Sequence, residues 1–138
     1  MRIMAIDYGD AHTGIAISDP TGLLAGFTTV INSRRQEVVV EQVVALAKEH
    51  GAEELLLGHP VNMDGTLGPR SEKAKAMKVL LEEATSLPVV LWDERRTTID
   101  AHNILFNSGK NAKQRKKVVD AVAASLILEG YLTFKKSR

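Results

Sequence analysis

At three places in this sequence, acidic residues stand where carboxylates could gather around a cation. Asp7 follows a short apolar run, the pair Asp93 and Glu94 follows another, and Asp120 opens a long apolar stretch. Short apolar runs bounded by turn residues predict buried strands, and sites commonly form where parallel strands end. Carboxylates from three elements would repel one another unless a cation lay among them, and hard divalent cations prefer oxygen ligands. The pattern therefore predicts a divalent-metal site.

Each acidic position also has a purely structural interpretation. Asp7 could bond its own backbone in a turn that Gly9 allows. Asp93 could cap a following helix, but one cap does not account for two acids and two arginines in the run 93–98. Asp120, considered alone, favours an exposed helix face on which it pairs with a lysine one turn earlier.

The composition limits the class of protein. At 138 residues the chain has the length of one domain, and such a chain can bury about 68% of its unfolded surface. Cysteine is absent, which excludes disulfides and zinc–thiolate sites and fits a reducing compartment. No apolar run approaches the roughly 20 residues of a membrane span, and no secretory signal precedes the first predicted strand. We therefore expect a cytoplasmic protein with a single domain over residues 1–138 and no membrane partner.

The charges are unevenly divided along the chain. Residues 1–108 carry 10 Lys and Arg against 15 Asp and Glu, whereas residues 109–138 carry 8 against 2. The basic end is concentrated in Lys110, Lys113, Arg115, Lys116 and Lys117. A basic segment together with an acidic cluster favours a polyanionic partner held over a metal site. The alternative is a solvated, slightly basic start of a helix.

The predicted elements begin with three strands, over residues 3–6, 14–18 and 24–31, whose short, turn-rich connections indicate an antiparallel meander. A helix over 34–50, a strand over 55–57, a loop over 58–68, a helix over 69–86 and a strand over 89–92 follow. The remaining predictions are a helix from about 98 to 107, a basic loop over 109–115 and a last helix over 115–134. A helix between strands implies a parallel crossover.

This order predicts an α/β fold with a mixed five-stranded sheet flanked by helices, as in ribonuclease-H-like proteins. A plain doubly wound sheet is disfavoured because three strands precede the first helix. Asp7 and Gly9 followed by Gly14 also resemble the phosphate loop of the actin and sugar-kinase folds. Those folds need two such domains and a much longer chain.

Longer motifs carry a more specific similarity. They are Ile-Asp-Tyr-Gly at 6–9 with Gly14, Ser-Asp-Pro at 18–20, Gly-His-Pro-Val-Asn-Met-Asp-Gly at 58–65, Gly-Pro-Arg at 68–70, Asp-Glu-Arg at 93–95, and Asp120 with Ala123 and Ala124. On these motifs the whole chain resembles the YqgF (RuvX) family of the ribonuclease-H-like superfamily. Members of that family are described as Holliday-junction-resolvase-like and as candidate nucleases that mature the 5′ end of pre-16S ribosomal RNA.

The resemblance implies that Asp7, Glu94 and Asp120 form a catalytic acidic triad that binds one or two Mg²⁺ or Mn²⁺ ions. It also implies that the loop 62–70 and Arg95 line the substrate groove. With the basic segment added, the predicted phosphate-binding residues are Arg70, Arg95, Lys113, Lys116 and Lys117. The implied function is hydrolysis of phosphodiester bonds in structured RNA during ribosome biogenesis, by a monomer or a homodimer.

Departures from the family pattern bear on the substrate. The family often has basic residues where this chain has Ala11 and His12, and His59 stands at a position that is usually leucine. Junction resolvases of the superfamily commonly take an acid from the central strand, but here that strand leads into Gly58 and His59. This favours an RNA nuclease over a resolvase of branched DNA. A nucleic-acid-binding factor without catalysis is the alternative outside the enzymes.

Overall fold

The computed structural model describes residues 2–19, 25–60, 65, 67–93 and 112–136, with residues 25, 112–121 and 136 described by their backbone alone. The strands are β1 (Ile3–Asp7), β2 (His12–Ser18), β3 (Ala25–Asn32), β4 (Glu54–His59) and β5 (Val89–Asp93). The helices within these ranges are α1 (Gln36–His50), α2 (Pro69–Ala84) and α3 (Ala112–Lys136).

The strands form one mixed sheet in the order β3-β2-β1-β4-β5. β1, β2 and β3 pair antiparallel, which confirms the predicted meander. β4 pairs parallel with β1 and with β5, which confirms the predicted crossovers. The fold is therefore the ribonuclease-H-like fold that the order of elements predicted, with β1 at the centre of the sheet.

The parallel register brings three strand ends to one edge of the sheet. Ile6 lies beside Leu57, and Leu57 lies beside Leu91. The next residues on the three strands are Asp7, Gly58 and Trp92, followed by the pair His59 and Asp93. We call this the C-terminal edge, because β1, β4 and β5 all end there.

Two hydrophobic layers cover the two faces of the sheet. On one face, Met4, Ile6 and Leu57 pack with residues of α1 and α2. On the other face, Ile3, Ala5 and Leu56 pack with residues of α3. Successive side chains of a strand point to opposite faces, so a strand covered by helices on both sides must be apolar throughout. This is why the sequence shows continuous apolar runs here instead of alternation.

The helix ends follow from local chemistry, with one prediction wrong. α1 stops at Gly51, whose φ of 67° is left-handed, and Pro69 occupies the first turn of α2. α3 begins at Ala112, so the predicted loop over 109–115 is wrong for residues 112–115. Lys, Gln and Arg favour helices almost as strongly as Ala does, and a polar stretch need not be a loop. The helix predicted over 98–107 lies outside the described residues. Among the described helices, none combines the length and apolarity that crossing a bilayer requires.

Candidate active site

Asp7 ends the central strand at the C-terminal edge. Its antiparallel partner on β2 is Gly14, which has no side chain to fill the space beside it. Alternation along β1 puts Asp7 on the face of Ile3 and Ala5, which is the face that α3 covers. The residue is half-buried, and its carboxylate has no hydrogen bond or ion pair with the described part of the chain. A carboxylate without a partner among the described residues at this position is available to bind a cation, and hard cations prefer oxygen ligands.

The turn after Asp7 is too tight for any side chain at Gly9. A Cβ added at Gly9 would lie 2.3 Å from the carbonyl oxygen of His12, so the backbone would have to move. Gly9 is therefore required by space in the turn that leads from Asp7 to the start of β2.

His59 and Asp93 end the neighbouring strands β4 and β5 and lie side by side in the parallel register. The Nε2 atom of His59 is 2.6 Å from the Oγ atom of Ser71, which is fully buried in the first turn of α2. This contact ties the end of β4 to α2. Leu91, two residues before Asp93, packs in the layer of α1 and α2, so alternation assigns Asp93 to the face opposite Asp7.

The sequence interpretation missed the role of Ser71. The spacing of Ser71 could have indicated its burial, because it falls on the buried stripe of α2, which consists of Ser71, Ala74, Met77 and Leu81. A serine on an otherwise apolar stripe must find a hydrogen-bond partner when it is buried, and His59 supplies it.

Asp10, in the turn between β1 and β2, lies among cations. The Nζ atom of Lys73 is 2.6 Å from the Oδ1 atom of Asp10. The hydrogen bond from Lys73 and its charge hold the pKa of the Asp10 carboxyl below its usual value, and the charges of Arg70 and Arg34 act in the same direction. The turn next to Asp7 is thus surrounded by positive charge on the side of α1 and α2.

The structure describes only some of the predicted site residues. Asp7 lies at the C-terminal edge as predicted, and Arg70 is exposed in the first turn of α2. Glu94 and Arg95 lie outside the described residues. Asp120, Lys113, Lys116 and Lys117 lie on α3, where only the backbone is described for these positions. Within the part of the chain that is described with side chains, no three His, Asp or Glu residues come together as a metal site.

Comparison with known proteins gives both a family and a fold. The RuvX family, described as "Holliday junction resolvase", matches residues 1–134. A relative from Halothermothrix orenii is 43% identical over 135 residues, covering 98% of this chain and 96% of the relative. That relative carries the name "Putative pre-16S rRNA nuclease".

Solved structures show the same fold at low sequence identity. The structure titled "T. thermophilus RuvC in complex with Holliday junction substrate" matches with a TM-score of 0.64 and 15% identity, covering 99% of this chain and 96% of that one. A ROK hexokinase from Thermus thermophilus matches with a TM-score of 0.52 and 23% identity, covering 75% of this chain but 38% of that one. The second match agrees with the expectation that a sugar kinase needs a much longer chain.

Proposed function

Because this chain belongs to the RuvX family, we propose that it is a cytoplasmic, metal-dependent nuclease that hydrolyses phosphodiester bonds in structured RNA. The observation that carries the proposal is the carboxylate of Asp7. It is half-buried at the end of the central strand, faces α3, and has no partner within the described ranges. Positions of this kind on rigid strand ends control geometry well, which a catalytic group needs.

Glu94 and Asp120 are proposed to complete the site. Glu94 directly follows β5 in the sequence, and the family motif that contains it assigns it to the acidic triad. Position 120 on α3 is one helical turn before Ala124, which is buried against that same face. The position of residue 120 on α3 and the motif that contains Glu94 support the assignment of both acids to the site of Asp7.

The donor set fits a divalent cation. Carboxylate oxygens are the ligands that Mg²⁺ and Mn²⁺ prefer, and Asp7, Glu94 and Asp120 would hold the ion or ions. When bound, one or two such ions would supply an activated water and would stabilise the departing oxygen at phosphorus. Asp7 is suited to binding such an ion because no cationic side chain among the described residues pairs with its carboxylate.

Basic residues are proposed to hold the phosphodiester backbone. Arg70 is exposed in the first turn of α2, and Lys113, Lys116 and Lys117 belong to the first two turns of α3. Arg95 follows Glu94 in the sequence. Contacts of this kind fix the position of the nucleic acid without reading its bases, which suits recognition by shape.

The name of the relatives favours RNA, and specifically the 5′ end of pre-16S ribosomal RNA, as the natural substrate. The main alternative is a junction resolvase, which the likeness of the fold to a junction-bound RuvC favours. A resolvase would need a homodimer that cuts two strands symmetrically. In this chain β4 ends with His59 and offers no acid there. A nucleic-acid-binding factor without catalysis is the third possibility.

One cleavage experiment separates these functions. The purified protein is incubated with a precursor of 16S RNA, an unrelated structured RNA and a four-way DNA junction, each with Mn²⁺, with Mg²⁺ and with chelator. We expect metal-dependent cleavage of the RNA precursor. Paired symmetrical cuts of the junction, together with a dimeric mass in solution, would instead support the resolvase. Binding without cleavage in either metal would support the binding factor.

A further inference from the structure

Three segments of the chain meet at the turn between β1 and β2. The backbone N–H of Ser33, after β3, donates to the carbonyl oxygen of Ala11 at 3.0 Å. The Nδ1 atom of His12 lies 2.7 Å from the Oδ1 atom of Asn32. From α2, Lys73 reaches Asp10 at 2.6 Å. The loop before α1 and the first turns of α2 are thus held against this turn from two sides.

These contacts bring three basic side chains to one place. Arg34 follows Ser33 directly, and Arg70 and Lys73 lie three residues apart on α2, where side chains are neighbours on the helix surface. All three are exposed. The electrostatic influence of Arg34 and Arg70 reaches Asp10, since both help to lower the pKa of its carboxyl.

The two arginines are not committed to other described side chains. Neither Arg34 nor Arg70 forms an ion pair with a residue that the structure describes. The neighbouring Arg35 differs, because its guanidinium is 2.8 Å from the Oε1 atom of Glu37. A guanidinium presents a planar fork of donors that matches phosphate oxygens, so an exposed and uncommitted pair of arginines suits a phosphodiester backbone.

We propose that Arg34, Arg70 and Lys73 form a phosphate-binding patch for the backbone of a nucleic acid, and that Asp10, which is bonded to Lys73, belongs to it. The inference rests on the proposed nuclease function and adds Arg34 and Lys73 to its binding surface. The patch lies on the side of α1 and α2, whereas the basic start of α3 belongs to the helix that covers the other face. The Tyr131 hydroxyl, late in α3, donates to Glu54 at the start of β4, so α3 begins towards the C-terminal edge, and a nucleic acid that contacts both basic regions would cross that edge near Asp7.

Asp10 has a definite part in this arrangement. Its carboxylate forms an ion pair with Lys73, and it adds a negative charge at the place where a phosphate is proposed to bind. Binding of the phosphate must therefore overcome repulsion from Asp10 and compete with it for Lys73. Removing the charge of Asp10 frees the lysine and should tighten binding, which is the reverse of what a supporting structural acid would do.

The test compares two adjacent arginines in the full-length protein. Arg34→Gln and Arg35→Gln are each made in an Asp7→Asn background, so that the probe survives, and binding to a labelled RNA hairpin is measured across a range of salt. We expect Arg34→Gln to weaken binding several-fold and to flatten the slope of log K against log salt by about 0.7–0.9 for the lost contact. Arg35→Gln, which removes a paired charge, should leave the slope unchanged. Melting temperatures check that both variants fold.

A second variant tests the part of Asp10. In the same background, Asp10→Asn should tighten binding several-fold, and Lys73→Met should cancel that gain. Equal effects of Arg34→Gln and Arg35→Gln, or weaker binding by Asp10→Asn, would overturn the patch. If the parent binds the hairpin while none of these variants changes its affinity, only the patch is wrong. If the parent binds no nucleic acid at all, the proposed function fails together with it.

Discussion

The two faces of the sheet differ at the C-terminal edge. On the face that α3 covers, Asp7 presents a half-buried carboxylate that has no partner in the described ranges. On the face of α1 and α2, the half-buried His59 bonds the buried Ser71, and the exposed Asp10 bonds Lys73. Buried polar groups are normally paired, so the contact of His59 with the buried Ser71 supports the fold, whereas the carboxylate of Asp7, unpaired within the described ranges, is a candidate for binding a ligand. The comparison contrasts a carboxylate that is proposed to bind a cation with a contact that anchors the end of β4 to α2.

The largest effect is expected on the cleavage rate, from a change at Asp7. Asp7→Asn preserves size and much of the hydrogen bonding but removes the charge that a divalent cation needs. We expect cleavage to fall by several orders of magnitude, because the divalent ion proposed to support the reaction would lose one of its ligands. Folding should persist or improve, since the proposed cluster of Asp7, Glu94 and Asp120 would lose one of its mutually repelling charges. The measurements are the cleavage rate in Mn²⁺ and the melting temperature in chelator.

Asp93→Asn is the matched control, because Asp93 also ends a strand at this edge but belongs to the opposite face. We expect it to lose far less activity than Asp7→Asn. Equal losses would mean that the two faces are not distinct, and unfolding of Asp7→Asn would make Asp7 a structural turn residue.

Changes to the contact between His59 and Ser71 should lower the free energy of unfolding. Ser71→Ala leaves the Nε2 atom of His59 without its partner at a half-buried position, which should cost about 1–2 kcal/mol of the free energy of unfolding. His59→Leu with Ser71→Ala removes both partners and should cost less than the sum of the single changes. Urea unfolding of the two single variants and the double variant gives the coupling energy. Additive costs would show that the contact contributes nothing of its own.

The sequence predicted the parts of this edge that depend on local patterns. The apolar runs identified β1 and β5, and the position of Asp7 at a strand end followed from its run. The end of β4 was missed, because Gly58 and His59 suggest a turn but continue the strand in register with β5. Parallel pairing on both sides fixed the backbone there, against the local preference of glycine.

Contacts between distant residues could not be predicted from local patterns. Lys73 and Asp10 are 63 residues apart, and neither stands in a motif that names its partner. Ser71 carried a signal through its spacing on α2, but the identity of its partner came only from the packing of α2 against β4. The start of α3 was misplaced because basic residues that favour a helix were interpreted as a loop.

A smaller effect concerns the basic start of α3, the counterpart of the patch on the other face. Replacing Lys116 and Lys117 with alanine should weaken nucleic-acid binding about equally for all sequences, since phosphate contacts carry no base information. The slope of log K against log salt should flatten by about 0.7–0.9 for each lost contact. Titrations with two unrelated RNA hairpins provide the measurement. An unchanged slope would mean that these lysines are only solvated residues of the helix.

The smallest effect is the pH dependence of the contact between Asp10 and Lys73. The folded protein holds the pKa of Asp10 below its ordinary value of 3.8, chiefly through the hydrogen bond and charge of Lys73. A lowered carboxyl pKa contributes stability that is present above the unfolded value and is lost as the pH falls through the folded one. Both side chains are largely exposed, so solvent screens the pair and the change in stability should be slight.

The titration of Asp10 is a more sensitive measurement of this contact than the stability. The carboxyl carbon of Asp10, followed by NMR, should titrate below 3.8 in the parent and move upward in Lys73→Met. Arg35→Gln should leave it in place, because Arg35 pairs with Glu37. A titration that Lys73→Met does not move would show that the lysine is not held at Asp10 in solution, and Asp10 would then not be the acid that a bound phosphate has to displace.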